Sequence, residues 1–595
     1  MQAYRPGTLL GFGPATDDGF FYDFMLPEPI SEADLPELEE RMRAIISSAQ
    51  SFEMEALPAK AALQRIEQDM KEPYKAEYAK ELAEKQGSDV ITFYRNGPFL
   101  DMCEGPHVES TADLPGDAFH LHSIAGAYWR GDERRPMLTR VYAWAFQTKK
   151  ELRTYQQARE EQLKRDHRKL GAQLDLFTMS DTVGLGLPLW LPNGAVIVEE
   201  LEKLAKEWEF LEGYERIRTP VLTRGKLFQV SGHLELFKED MFPGMAGPDD
   251  DSEGDENAYF LRPMNCPHHH IVFASRPRSY RDLPLRFAEY GHTFRYERSG
   301  TLQGLVRVRA MCMNDAHIYL TEDQIQDEFV RVLNLHKRYY DLFGLSDYYM
   351  RLSRWDPDDA KAGSKYINDP TAWEMSESRV REALKAAGVP FIERVGEAAF
   401  YGPKVDIQFK TVGLKEFTVS TCQLDFGVPA RFQKAGIPMT YKDRDGKDVL
   451  PYVIHRAPLS THERFVGFLI EHYAGAFPMW LSPVQVRLLP VSERFIEYAE
   501  KVCSRLRAEL IRAEVDKSEE TLGKRIRRGT VEKVPALLVV GEEEVTNQTV
   551  TVRRYHTKEQ RTVPAEKLVE LLKLEISHRA HVKDWSDLDA LEDTV

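Results

Sequence analysis

"LPLRFAEYGHTFRYERSGTLQGLVRVRA", residues 283–310, decides how this chain is read. FRYER sets Arg295 and Glu297 two apart, and so on one face of an expected strand. SGTLQGL makes a turn, and Arg307 follows it. Arginines suit phosphate binding because their forked donors grip phosphate oxygens and stay protonated. Any one arginine, taken alone, is as well read as half of a surface salt bridge.

Just upstream, "NCPHHH" (265–270) packs one thiol and three imidazoles into one turn. Four such groups cannot all face one ion, and a zinc site draws its ligands from separate elements. One residue of the cluster with distant partners is the better arrangement. Asp315-Ala-His317 and His455, in "YVIHRAPLSTHERF", supply candidates. Cys266, His317 and His455 would give a thiolate and two imidazoles, with one position open to substrate. Seventeen histidines allow many other triples.

With 595 residues the chain exceeds one core, and roughly three or four domains are expected. The net charge of −16 argues against blanket affinity for nucleic acid, though not against a local basic surface. Five scattered cysteines suggest no disulfide framework and fit a reducing cytoplasm. No run of about 18 apolar residues occurs, so no membrane span is expected. The first residues lack a secretory pattern.

Composition divides the chain. Residues 1–147 mix strand-like and helical pieces; Ser31 and Asp34 look like a helix cap, with Leu35, Leu38, Met42, Ile45 and Ile46 on one face. Residues 148–173 read as one linker helix, charged on most sides, with Leu152, Tyr155, Leu163 and Leu170 as its sizeable apolar groups. Residues 174–482 alternate strands and helices and carry a solvated acidic insertion, 248–257. Within them "GLGLPLWLPNG" (184–194) lacks the strand-before, helix-after setting of a dinucleotide loop. Residues 483–595 alternate apolar strands with helices, which implies an α/β domain with a mostly parallel sheet. That domain holds the densest basic run, "GKRIRRG" (523–529).

From about residue 174 the chain resembles the threonyl-tRNA synthetases of class II. The likeness rests on the order of "GYERIRTPVL" (213–222), "RPMNCP" (262–267), the 283–310 stretch, "NDAHIY" (314–319), "AFYGPKVDI" (399–407), "QLDF" (423–426) and "IHRAPLSTHERFVGFLIE" (454–471). The resemblance implies an α+β multidomain protein: an antiparallel-sheet catalytic core, an α/β anticodon-binding domain and a partial editing domain. It implies Zn2+ on Cys266, His317 and His455, one per subunit, with His268, His269 and His270 outside the coordination shell. Asp315 would receive the threonine hydroxyl, and Tyr401 would line the pocket beside Met313. Arg295 would bind the α-phosphate and the amino-acid carboxylate, Glu297 the adenine amino group, Arg307 a second phosphate oxygen and Arg464 the γ-phosphate. Gln423 would lie near both ATP and threonine, with Mg2+ accompanying the triphosphate. A hydroxyl-binding site is what threonine selection requires. An apolar pocket separates threonine from valine only about 10²-fold, whereas a polar site is left unpaired by valine.

The chain departs from the family at Met313, where a glutamine is usual, and at Thr418 and Ser420, which replace a glutamine and a glycine. These are expected pocket-wall changes. The first 147 residues resemble the family's editing domain, with Lys75, Asp101, Cys103 and His107 matching half of that site. The other half, an H-x-x-x-H helix, does not occur in the first 120 residues, nor does the ubiquitin-like domain of many relatives. Either the chain is truncated or editing of seryl-tRNA is impaired. Glu544 and Arg553 match positions that read anticodon bases, and GKRIRRG would grip phosphates. Ser518 and Glu519 stand where relatives often carry Arg-Asn. The implied protein is a cytoplasmic homodimer, its interface near Pro220, acting on threonine, ATP and tRNA(Thr). The alternatives are a non-catalytic tRNA-binding paralogue and a zinc hydrolase, the latter lacking any H-E-x-x-H carboxylate.

Overall fold

The protein is described by a computed structural model covering residues 1–85, 89–246, 255–358, 366–413, 416–557 and 559–593. The acidic insertion lies outside the described residues except for 255–257. The chain divides into two compact units, Met1–Glu160 and Glu161–Val595.

The larger unit is built on an eight-stranded sheet. Its strands in chain order are β1 (Glu215–Arg216), β2 (Leu285–Phe294), β3 (Ala310–Leu320), β4 (Tyr348–Arg354), β5 (Phe391–Val395), β6 (Lys404–Lys410), β7 (Glu416–Asp425) and β8 (Tyr452–Arg456). The spatial order is β1-β2-β3-β8-β7-β6-β4-β5. Only the edge pairs β1–β2 and β4–β5 run parallel; the six inner strands pair antiparallel. Helices α1 (Pro192–Leu211), α2 (Cys266–Ala274), α3 (Ile325–Leu342) and α4 (His462–His472) flank it. Ile197, Leu201 and Leu204 of α1, Phe329 and Leu333 of α3 and Phe465 and Leu469 of α4 form one core with Ile318, Ile407 and Leu424 of the sheet. Burying each such side chain stabilises by about 1.5–3 kcal/mol. One face of the sheet is thereby covered by helices, and functional groups are carried on the other.

The C-terminal module has strands β9 (Val486–Pro490), β10 (Ala513–Val515), β11 (Ala536–Val540), β12 (Thr549–Arg554) and β13 (Gln560–Pro564). The expected mostly parallel sheet is instead mixed: β9 pairs parallel with β10 and β11, while β11–β12 and β12–β13 are antiparallel. The reason is twofold: β12, reached through the short helix Glu542–Asn547, runs antiparallel to β11, and after a further short connection the unrecognised β13 returns antiparallel to β12.

In the smaller unit, Phe52–Pro58, Val90–Asn96 and Phe99–Met102 form a three-stranded antiparallel sheet. Gly19–Met25, Phe119–Tyr128 and Met137–Ala145 form most of a second sheet. The helix Leu35–Ser47 follows a turn in which the Asp34 carboxylate accepts from the Ser31 N–H at 2.8 Å. Leu35 and Leu38 are buried and Ile45 is exposed. The expected single linker helix is two, Lys149–Arg165 and His167–Gln173. Asp166 breaks it by capping the second, its carboxylate accepting from Arg168 N–H at 2.8 Å. Among the described residues no helix is long and apolar enough to cross a membrane.

Candidate active site and metal centre

Met313, Asp315 and His317 alternate along β3 and so share one face. Register carries that face across the sheet: His317 lies opposite His455, His455 opposite Gln423, and Gln423 opposite Lys404. Cys266 reaches the same face from the first turn of α2. The donor atoms of Cys266, His317 and His455, all buried, lie within 4.8 Å of one another.

A second layer orients these donors. His455 Nε2 meets Asp425 Oδ2 at 3.0 Å, which leaves Nδ1 as its lone-pair nitrogen. His269 Nε2 donates to Glu289 Oε2 at 3.0 Å, so its Nδ1 accepts from the His317 Nδ1–H at 2.8 Å. His317 is thereby left with Nε2 as donor. Of the remaining cluster, His270 meets the Tyr319 hydroxyl at 2.8 Å and His268 is buried. Burial, with Asp315 and Asp425 adding to it, pushes the Cys266 thiol well up. A thiolate is thus unstable there without a cation, and the donor set is one zinc prefers. Residues and surroundings fit the ion.

Asp315 stands beside this triple. Its carboxylate accepts from Asn265 Nδ2 at 3.1 Å, and burial raises its pKa. Gly291 of β2 makes room: a Cβ there would stand 2.3 Å from Asn265 Oδ1. Tyr401 stacks on His455 with centroids 5.2 Å apart and donates its hydroxyl to Gln423.

The arginines converge next to this pocket. Arg295 donates to Pro263 O at 3.3 Å, and Arg464, on α4, donates to Val306 O at 3.2 Å. Burial lowers the pKa of Arg464, and repulsion from Arg295 and Arg307 lowers it further. Three cations held within range of one another await an anion. Arg307 stands 4.0 Å from Glu297. Arg295 and Glu297 do not sit on a strand as expected. β2 ends at Phe294, and the Glu297 N–H turns back onto Arg295 O at 2.9 Å.

Ser420 also departs from expectation. Gln408 pairs with Thr418 and Ile407 with Ser420, so Val419 is an extra, bulged residue. Thr418 stays on the polar face, accepting from Gln408 at 2.7 Å. Ser420 is buried among the helices, bonded to the Tyr340 hydroxyl of α3. It is no pocket wall.

His233, Asp425 and Glu289 escaped the sequence reading, while His269 lies outside the ligand shell as the resemblance implies. His233 is buried and held neutral: burial, then Arg295, Arg431 and His455, bring its pKa to about 4. The residue types of His233, Asp425 and Glu289 gave no sign of an orienting role, and only the assembled sheet shows them beside the site.

In the smaller unit Lys75 Nζ meets Asp101 at 2.9 Å, both buried, and the Tyr22 hydroxyl donates to Asp101 at 2.5 Å. Cys103 Sγ lies 3.3 Å from His107 Nε2, whose ring stacks on Phe52. In the C-terminal module the Glu544 carboxylate accepts from Thr551 at 2.7 Å, two residues before Arg553 on β12, so both lie on one face. GKRIRRG is less free than expected. Arg525 is buried and donates to Pro490 O at 2.7 Å, and Arg528 pairs with Asp516 and Glu520. Ser518 joins that knot through Asp516 Oδ1 at 2.7 Å, leaving Lys524 and Arg527 exposed.

The class II core model (tRNA synthetases for G, H, P, S and T) matches residues 250–473, an anticodon-binding domain model matches 485–575, and the second additional domain of threonyl and alanyl tRNA synthetases matches 91–142. A threonine–tRNA ligase of Streptococcus pneumoniae is 45% identical over 97% of this chain and 86% of its own. Among solved structures, the RNA-binding domain of threonyl-tRNA synthetase from Cryptosporidium parvum aligns with a TM-score of 0.63 at 32% identity. It spans 70% of this chain and 99% of that one. A putative threonyl-tRNA synthetase from Aeropyrum pernix aligns at 0.61 and 28% identity, over 72% and 97%. Sheet, site and relatives agree: the chain belongs to the threonyl-tRNA synthetase family of class II aminoacyl-tRNA synthetases.

Proposed function

We infer that this chain activates threonine with ATP and transfers it to tRNA(Thr). The observation that carries the reading is the convergence, on one sheet, of Cys266, His317, His455 and Asp315 with Arg295, Arg307 and Arg464. In activation a threonine carboxylate oxygen bonds to the α-phosphorus of ATP while the bond to the bridging oxygen breaks and pyrophosphate leaves. No protein atom need bond covalently, so positioning and charge stabilisation carry the rate. Arg295 would hold the α-phosphate and the threonine carboxylate, Arg307 a further phosphate oxygen and Arg464 the γ-phosphate. Glu297 would accept from the adenine amino group, and Gln423, oriented by Tyr401, would face both substrates. Transfer then forms an ester to a tRNA ribose hydroxyl and releases AMP.

Cys266, His317 and His455 would hold Zn2+, which when bound supplies an open Lewis-acid face for the amino and hydroxyl groups of threonine. Asp315 would accept the hydroxyl proton. Valine offers no such proton and leaves a buried acceptor unpaired. Mg2+ would accompany ATP.

Glu544 and Arg553 would read the anticodon, with Lys524 and Arg527 on phosphates. A cytoplasmic homodimer fits the edge strand β1 and the exposed Phe210 and Leu211 beside it. Residues 1–147 would be an editing module, 148–173 a linker, 174–482 the catalytic domain and 483–595 the tRNA-binding domain. Lys75, Asp101, Cys103 and His107 would give the editing module half of a hydrolytic site. Threonine-dependent exchange of labelled pyrophosphate into ATP tests the reading; metal-loaded protein without exchange sinks it.

A further inference from the structure

The opposite face of β3 carries a second set of donors. Cys312 precedes Met313 on the strand and so points away from the threonine pocket, toward α1 and α4. There its thiol, a ring nitrogen of His462 and a carboxylate oxygen of Glu202 lie within 4.8 Å of one another. Cys312 and His462 are buried; the Glu202 side chain is 28% exposed. Each residue comes from a different element: β3, the first turn of α4 and the middle of α1.

Three features show that the donors are set for a ligand. His462 Nε2 is sealed from solvent, and its polar neighbour Glu202 Oε1 stands at 3.5 Å, a long contact that leaves it poorly satisfied. A buried ring nitrogen left unsatisfied costs about 1–3 kcal/mol and calls for a partner. The plane of that ring is fixed, because it lies flat on Tyr290 with centroids 4.8 Å apart and planes 4° apart. Glu202 is tethered through its other oxygen, Oε2, to Lys206 at 2.6 Å, which leaves Oε1 turned to the cluster.

We propose that Cys312, His462 and Glu202 form a second metal site, separate from the Cys266 triple, that takes zinc or a similar divalent ion. A thiolate, an imidazole and a carboxylate are a zinc donor set, and soft sulfur excludes magnesium and calcium. Around a tetrahedral ion with metal–sulfur near 2.3 Å and metal–nitrogen near 2.0 Å, ligand atoms stand roughly 3.3–3.8 Å apart. The three donor atoms already lie within 4.8 Å of one another, with His462 and Glu202 at 3.5 Å. A water would complete the shell through the partly open Glu202 side. The ion would tie together β3, which carries Asp315 and His317, and α4, which carries Arg464. It would thus clamp the amino-acid pocket to the phosphate site from behind.

The test is cobalt titration of the metal-stripped full chain in a Cys103→Ser background, which removes the half-exposed thiol. Bound metal is counted by mass spectrometry, and thiolate ligation is read from the sulfur-to-cobalt charge-transfer absorbance. The expected result is about two equivalents per chain, falling to about one in Cys312→Ser and, independently, in His462→Gln. Cys266→Ser keeps about one equivalent and about half the charge-transfer absorbance, which Cys312 supplies. Cys266→Ser reads the second site without touching it, so misfolding of the Cys312 variant does not spare the proposal. Complete loss of the absorbance in Cys266→Ser overturns it, as does full metal content in both Cys312→Ser and His462→Gln. The result does not depend on the ligase reading, which pyrophosphate exchange decides separately.

Discussion

Two of the places where this molecule brings a thiol to an imidazole stand in contrast. In the smaller unit Cys103 meets His107 at 3.3 Å at the end of a short strand, with the imidazole exposed and propped by Phe52 and Tyr94. In the larger unit Cys266 meets two imidazoles, and each of these is held from behind, His455 by Asp425 and His317 by His269 and Glu289. The residue types match, but the support does not. Burial removes water as a competing ligand, and the outer hydrogen bonds select which ring nitrogen faces inward. The comparison teaches that a metal centre is recognised by its second layer more than by its ligands.

The sharpest way to break that contrast is to remove one thiol at a time. Cys266→Ser should lower threonine-dependent pyrophosphate exchange by about 10³-fold or more, because hydroxyl recognition and amino-group binding are lost together. Cys103→Ser should leave the metal content of the protein at its parent value; a matching drop would erase the distinction. Next in size is Arg464→Ala, expected to lower kcat/KM for ATP about 10²–10³-fold through loss of charge stabilisation at the phosphates. An effect under tenfold would place the arginine outside the reaction.

The second layer is tested by Asp425→Asn. It keeps the shape of the side chain but weakens its hold on His455, and should weaken metal binding at that site about 10–100-fold in a competition titration. Unchanged affinity would mean the ligands suffice alone.

A pH measurement separates the units. Burial raises the Glu72 carboxyl from 4.5 to about 6 in the folded smaller unit, against the pull of the Leu10 N–H that it accepts at 2.7 Å. The folded form then binds more protons than the unfolded one. Stability of that unit should fall by about 1–2 kcal/mol as pH rises from about 4.5 to 6, and stay level above. Glu72→Gln should flatten this dependence in hydrogen-exchange protection of residues 1–85; an unchanged slope would assign it to another group.

How much of this could be read beforehand follows from the kind of information each feature needs. The gathering of Cys266, His317 and His455 was legible because they lie in stretches that jointly resemble one family, and β3 and β8 then set the histidines side by side by register alone. The orienting residues were not legible. Asp425 lies in QLDF as an unremarked carboxylate, and His269 was expected behind the ligands, on the helix or in an outer layer, with no partner named until the fold placed it between His317 and Glu289. Strand periodicity failed where strands end or slip. Arg295 and Glu297 lie past the end of β2, and the extra residue at Val419 carries Thr418 back to the polar face, whereas Ser420, three residues before Gln423, faces the helices by plain alternation. Charge counting failed at GKRIRRG, because Arg525 and Arg528 satisfy the module's own carbonyls and carboxylates.

The smallest predicted effect checks that last kind of correction. Ser420→Ala should cost about 1 kcal/mol of stability through the lost bond to Tyr340 and leave the KM for threonine within about twofold. A tenfold rise in KM would return Ser420 to the pocket.

Calorimetric binding of threonine and of valine to metal-loaded and to chelator-stripped protein tests the core of the account most directly. Threonine should bind the loaded form alone, and valine should bind neither form measurably. Equal threonine affinity with and without metal would contradict it.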